Sequence, residues 1–194
     1  RTTSTSTTSS TSSTTSTSVS TTTATTATTT TPSCGVGFFS GAILSLNVGN
    51  APFGDYTNYT FSYIATGTTT TLQFIFHGGG PLYKWWLDSV SVKKLNTSTE
   101  MLVNGGFETG DLTGWTQFCY LNCSFWFGII TNQGCAQGTY CYMDYCTAYD
   151  YLVQTFATTI GTTYILKFLL CEDPTSQGLG TAGSGTAVAY VKIN

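Results

Sequence analysis

The sequence predicts an all-β protein: an antiparallel jelly-roll β-sandwich carried behind an extended Ser/Thr stalk. Apolar residues recur with period two, Gly, Asn, Thr and Pro clusters separate those runs, and no window carries a helical apolar stripe.

The stalk comes first. Residues 1–33 are almost wholly Ser and Thr, broken only by Arg1, Val19, Ala24, Ala27 and Pro32, and so have little to bury in a core. Dense O-glycosylation stiffens such a tract, which then spans up to about 110 Å at ~3.3 Å per residue. Thr2, Thr3, Thr7, Thr8, Thr21, Thr22, Thr28 and Thr29 are the acceptors expected to carry the sugar.

Strands follow in order. Leu44, Leu46 and Val48 alternate with polar residues, as do Leu72, Phe74 and Phe76; Val90 and Val92 share one parity, as do Leu152, Gln154 and Phe156. Tyr164, Leu166, Phe168 and Leu170 line one face of another strand, and Ala187, Ala189, Val191 and Ile193 one face of the last. Turn clusters at 49–54, 78–81 and 178–185 separate them, and Glu172-Asp173-Pro174 reads as a further turn.

Composition narrows the function. Charged residues are 8% of the chain and the net charge is −3, with six basic residues scattered along it, which excludes nucleic-acid binding by phosphate neutralisation. So little charge leaves the surface to be hydrated by something else, and attached sugar is the expected agent; Asn58, Asn96 and Asn122 each open an N-x-S/T sequon. The most apolar stretch, 164–171, contains Lys167 and is far shorter than the ~20 residues of a membrane span. The chain begins at Arg1 without a signal peptide and is expected to be a processed piece of a longer secreted precursor.

Seven cysteines and one histidine argue for disulfides in an oxidising compartment rather than for zinc. Cys119, Cys123, Cys135, Cys141, Cys146 and Cys171 are expected to pair in an order the sequence leaves open. Cys34, directly after the stalk, is expected to be the odd one, unpaired or bonded between chains.

Leu102-Val103-Asn104-Gly105-Gly106-Phe107-Glu108, continued by Thr109-Gly110-Asp111-Leu112-Thr113-Gly114-Trp115, resembles the opening of a galactose-binding-like jelly roll, as in carbohydrate-binding module families four and nine. Trp86-Leu87-Asp88-Ser89-Val90-Ser91-Val92 resembles the closing strand of that fold, with Ser89 where the family has a second acid. The closing motif comes first here. Residues 34–98 thus look like the C-terminal half of such a domain and 99–194 like its N-terminal half. Either one chain forms a circularly permuted sandwich, or a neighbouring subunit completes each half by strand exchange. The resemblance implies a structural calcium held by Glu108 and Asp88. It also implies sugar recognition by exposed rings, for which Tyr83, Trp85, Tyr120, Phe125 and Trp126 are candidates, equally suited to subunit contact; Trp115 belongs in the core. Trp85 and Trp86 point to opposite faces of a strand, so one of them is expected to be exposed.

No catalytic set emerges. His77-Gly78-Gly79-Gly80 is similar to an esterase oxyanion loop, but the chain has neither a G-x-S-x-G elbow nor a second histidine. Nothing in the spacing of the nine acids selects a pair for glycoside hydrolysis. The expectation is a non-enzymatic extracellular structural or adhesive glycoprotein that polymerises with copies of itself. The alternative is a lectin-like module of a larger secreted protein, with polysaccharide as partner.

Overall fold

The computed structural model describes residues 34, 39–47, 49–78, 83–123, 127–172 and 187–194. Within them ten strands make two antiparallel sheets of five, so the chain is an all-β sandwich. The first sheet runs β1 (Leu44–Asn47), β10 (Val188–Ile193), β3 (Thr69–His77), β8 (Asp150–Ala157), β5 (Thr116–Phe118). The second runs β2 (Thr57–Ile64), β9 (Thr163–Glu172), β4 (Trp85–Lys94), β7 (Cys141–Asp144), β6 (Ile129–Thr131). A 3-10 turn at Tyr120–Cys123 follows β5.

The period-two residues become the inner faces, because successive side chains on a strand point to opposite sides. Leu72, Phe74 and Phe76 of β3, Leu152 and Phe156 of β8, and Ala189 and Val191 of β10 meet Trp85, Leu87, Val90 and Val92 of β4 and the four alternating residues of β9. Phe74 stands edge-on to Phe168 across the interface, centroids 5.2 Å apart, a favoured aromatic geometry. Gln154 shares the parity of Leu152 and Phe156 and is buried with them. Its amide is satisfied by the Val103 backbone: Oε1 accepts the Val103 N–H at 2.7 Å and Nε2 donates to the Val103 carbonyl at 3.0 Å.

Strands from 34–98 (β1 to β4) and from 99–194 (β5 to β10) interleave in both sheets, so each sheet reaches five strands within one chain. The opening and closing motifs lie side by side. Val90 N–H donates to the Gly105 carbonyl and Met101 N–H to the Val92 carbonyl, both at 2.9 Å. A Cβ on Gly105 would overlap the Val90 carbonyl oxygen, which is why the opening motif needs glycine there. The β4–β9 register shifts between Asp88 and Ser91, and Ser89 takes a φ of 52° at that bulge.

One expected turn is corrected. Glu172 is the last residue of β9 and 1% exposed. Its backbone continues the sheet, with Glu172 N–H donating to the Pro52 carbonyl at 2.8 Å and Gly54 N–H to the Glu172 carbonyl at 3.1 Å. Asp173 and Pro174 lie outside the described residues.

Candidate functional site: a closed flap and a carboxyl pair

Trp85 and Trp86 do point to opposite faces, but both are buried, at 0% and 2% exposure, and the expectation of an exposed Trp85 is corrected. Trp85 faces inward and stacks on Phe76, centroids 6.3 Å apart, its Nε1–H donating to the His77 carbonyl at 3.4 Å. Trp86 faces outward into a second, smaller apolar cluster with Cys141 and Cys171, flanked by Tyr56, Cys135 and Met143. The segment 132–140 folds over it as a flap, cross-linked by a disulfide from Cys135 within it to Cys141, the first residue of β7. A Cβ on Gly134 would meet the Trp86 ring at 3.0 Å, and the Tyr56 hydroxyl donates to the Gly134 carbonyl at 2.8 Å.

The two acids expected to hold calcium hold this flap. Asp88 Oδ2 accepts the N–H groups of Ala136 and Gln137, both at 2.9 Å, and Ser89 Oγ lies 3.2 Å from Asp88 Oδ1. Glu108 accepts Thr139 N–H at 3.0 and 2.9 Å on its two oxygens and Tyr140 N–H at 3.2 Å. Gly138 runs past that carboxylate so closely, at φ 63°, that a Cβ would overlap Oε1. Backbone N–H groups, joined at Asp88 by the Ser89 hydroxyl, are aimed at these carboxylates, whereas calcium is bound by oxygen ligands, so the residues as arranged do not fit the ion. Burial raises the Asp88 pKa above the usual carboxylate range, and the hydrogen bonds from Gln137, Ser89 and Ala136 temper that rise.

Asp144 on β7 and Asp150 on β8 enter the core from opposite sheets at one end of the sandwich, both 0% exposed. Nothing in the sequence marked them. Asp144 pairs in register with Trp85, and Asp150 with Phe76. Cys146 N–H lies 3.4 Å from both oxygens of Asp144. At strict geometry neither Asp150 oxygen has a hydrogen-bond partner among the described residues; the Asp144 carboxyl and the Gly128 N–H approach it more loosely. Burial, the neighbouring Asp150 charge and the Asp150 hydrogen bond raise the Asp144 pKa well above its ordinary value, so Asp144 holds its proton more tightly than a free aspartate does. Burial pushes Asp150 up to about 7. The sulfurs of Cys123 and Cys146 lie with the Asp150 carboxyl in one group of potential metal ligands, but they are bonded to each other and are not thiolates.

The disulfides correct the cysteine assignment. Cys34 bonds Cys119, Cys123 bonds Cys146 and Cys135 bonds Cys141, so Cys34 is not the odd residue. Cys171 takes no part in these bridges; it lies opposite Trp86 beneath the flap, its thiol donating to the Glu172 carbonyl at 3.4 Å.

Of the remaining ring candidates, Tyr83 is half-buried against the main core, and Tyr120 is exposed with its ring 6.0 Å from Phe127. Phe125, Trp126 and the stalk threonines lie outside the described residues. Asn58 on β2, Asn96 after β4 and Asn122 in the 3-10 turn are all exposed. Trp115 is in the core, as expected, its Nε1–H on the Asn104 carbonyl at 3.1 Å. His77 ends β3 beside the Tyr149 ring, centroids 5.0 Å apart. No helix among the described residues is long and apolar enough to cross a membrane.

No protein-family model, curated protein or solved structure matches this chain.

Proposed function

We propose that the protein is a secreted structural glycoprotein that assembles with copies of itself, the sandwich supplying the contacts and the Ser/Thr tract a glycosylated spacer. The observation that carries this reading is the Cys34–Cys119 disulfide, which joins the residue directly after the tract to the end of β5. The bridge fixes the base of the tract directly to the sandwich, so that load along the tract enters the fold beside β5 as well as through the backbone. Three disulfides suit the oxidising compartment that secretion implies. The exposed acceptors Asn58, Asn96 and Asn122 suit a sugar-covered surface.

A contact surface is present in β2. This eight-residue strand lies at the edge of the second sheet, reads Thr-Asn-Tyr-Thr-Phe-Ser-Tyr-Ile, and keeps its register with β9 without a bulge. Edge strands of soluble monomers are commonly blunted by Lys, Pro, bulges or shortness, and β2 has none of these. The reading is non-enzymatic: Asp88 and Glu108 accept backbone N–H groups, and Asp144 and Asp150 are enclosed between the sheets.

Light scattering on the secreted full-length chain tests it. Wild-type protein is expected to be polymeric, and Ser62→Lys, which places a charge on the exposed face of the β2 edge, to shift it toward monomer. Wild-type protein that stays monomeric across a wide concentration range contradicts the reading.

A further inference from the structure

The chain has six basic residues, Arg1, Lys84, Lys93, Lys94, Lys167 and Lys192, and half of them line one pocket. This cavity of about 220 Å3 lies on the outer face of the second sheet, where Lys93, Lys94 and Lys167 converge with the polar side chains of Ser91, Asn96 and Thr97. The convergence is built by strand register. Ser91 lies opposite Lys167, and Lys93 opposite Ile165, which makes Lys93 and Lys167 diagonal neighbours on one face. Like charges at that spacing repel, and in a protein that is 8% charged the cluster is not a product of crowding.

Glu100 sits opposite Lys93 in an isolated β-bridge, but its carboxylate is committed elsewhere. None of the three lysines makes an ion pair among the described residues. The adjacent acid, Glu100, faces other donors: Oε2 accepts the Ser91 hydroxyl at 2.6 Å, and Oε1 accepts the N–H groups of Val92, Met101 and Leu102 at 2.7, 3.1 and 3.3 Å. The pocket therefore presents three unpaired ammonium groups beside a hydroxyl, an amide and a second hydroxyl.

We propose that this pocket binds the carboxylate or sulfate group of an anionic polysaccharide. Its volume is below the 300–1,000 Å3 typical of drug-sized ligands, which suits one charged sugar unit of a longer polymer. No aromatic ring lines it, so it lacks the stacking platform that a neutral sugar or a single-stranded nucleic acid uses. Point-like ammonium groups suit a carboxylate or sulfate; the Ser91 and Thr97 hydroxyls, whose protons go to Glu100 and the Lys94 carbonyl, can accept from ring hydroxyls, and the Asn96 amide can donate or accept. The pocket lies one strand in from the β2 edge, its Lys167 and Ile165 pairing with Thr60 and Ser62; light scattering reports assembly and gel retardation reports polymer binding, and the lysine variants leave β2 itself unaltered, so either inference can fail alone.

The test is affinity electrophoresis of the full chain through gels holding polygalacturonate, dextran sulfate, neutral dextran or single-stranded DNA. Because Asn96 opens a sequon at the pocket rim, the assay is run with and without Ser98→Ala, which removes that sequon but no lining residue. Both anionic polysaccharides are expected to retard the protein at low ionic strength, with retardation weakening as salt screens the charges. The exposed double substitution Lys93→Ala/Lys167→Ala is expected to lower affinity about tenfold, an easily read shift, while Lys192→Ala on β10 leaves it unchanged. The stronger of the two polymers distinguishes a carboxylate from a sulfate source. Equal retardation by neutral dextran, tighter binding to DNA, no retardation by either anionic polymer, or an unaffected double variant overturns the proposal.

Discussion

Asp150 is enclosed between the sheets without a cationic partner among the described residues, and its protonation is tied to stability. Its folded pKa, about 7, lies above the ~3.9 of an unfolded aspartate, so the folded chain holds the proton more tightly. The stabilisation is complete below the unfolded value and is lost as pH rises through the folded one. The melting temperature is therefore expected to fall between about pH 4 and pH 7 and to level off above that. Asp150→Asn, which keeps the shape and removes the charge, should flatten that slope in a thermal melt; an equally steep slope in the variant assigns the effect elsewhere. Asp88 and Glu108 give a second prediction: because backbone N–H groups face both carboxylates, a chelator should leave the melt unchanged, and a chelator-dependent drop contradicts this assignment. At this scale the sequence was readable where a residue's neighbours are its own strand. Trp115, in its motif, was placed in the core. Asp144 and Asp150 were not legible, because their proximity depends on the crossing between β7 and β8 bringing two sheets together. The opposite faces of Trp85 and Trp86 followed from the pleat, but the burial of both did not, since the cover over Trp86 comes from a segment almost fifty residues later.

The flap at 132–140 is an element with few backbone ties to the sheets, held instead by the Cys135–Cys141 bridge, Asp88 and Glu108. Replacing both cysteines by serine removes about 2 kcal/mol of loop-closure stabilisation. Opening the flap should also expose Trp86, so tryptophan emission is expected to shift red while far-ultraviolet circular dichroism stays that of a β protein. Unchanged emission would mean that the carboxylates alone hold the flap. Trp86→Ala, which empties the cluster beneath, is expected to cost about 3–5 kcal/mol in denaturant melts. Among the strands, β3, β8, β9 and β10 were legible because aliphatic and aromatic residues alternate cleanly along them. In β2 the inward positions are Tyr59, Phe61 and Tyr63, half-buried at a sheet edge, and they give a weaker signal. β5 and β6 have three residues each and β7 four, too few for a period to show.

The whole molecule joins a covalently anchored Ser/Thr tract to a sandwich with a long uncharged edge. Closing the span from Cys34 to Cys119, a sequence separation of 85, is worth about 4–5 kcal/mol in the chain-entropy account. Cys34→Ser with Cys119→Ser should therefore lower the melting temperature and free the base of the tract; an unchanged melt would remove the anchor from the account. The sandwich class was legible from period and turns alone. Strands from both sides of residue 98 share each sheet, and the two segments meet where Val90 N–H donates to the Gly105 carbonyl. The pairing of Cys34 was not legible, because the cysteines alone leave many connectivities open. Electron cryomicroscopy of the native secreted material, imaged before any deglycosylation, tests the central claim most directly. The account predicts filaments in which the β2 edge of each sandwich meets a different surface of the next, with sugar density along residues 1–33; isolated sandwiches without any repeat would contradict it.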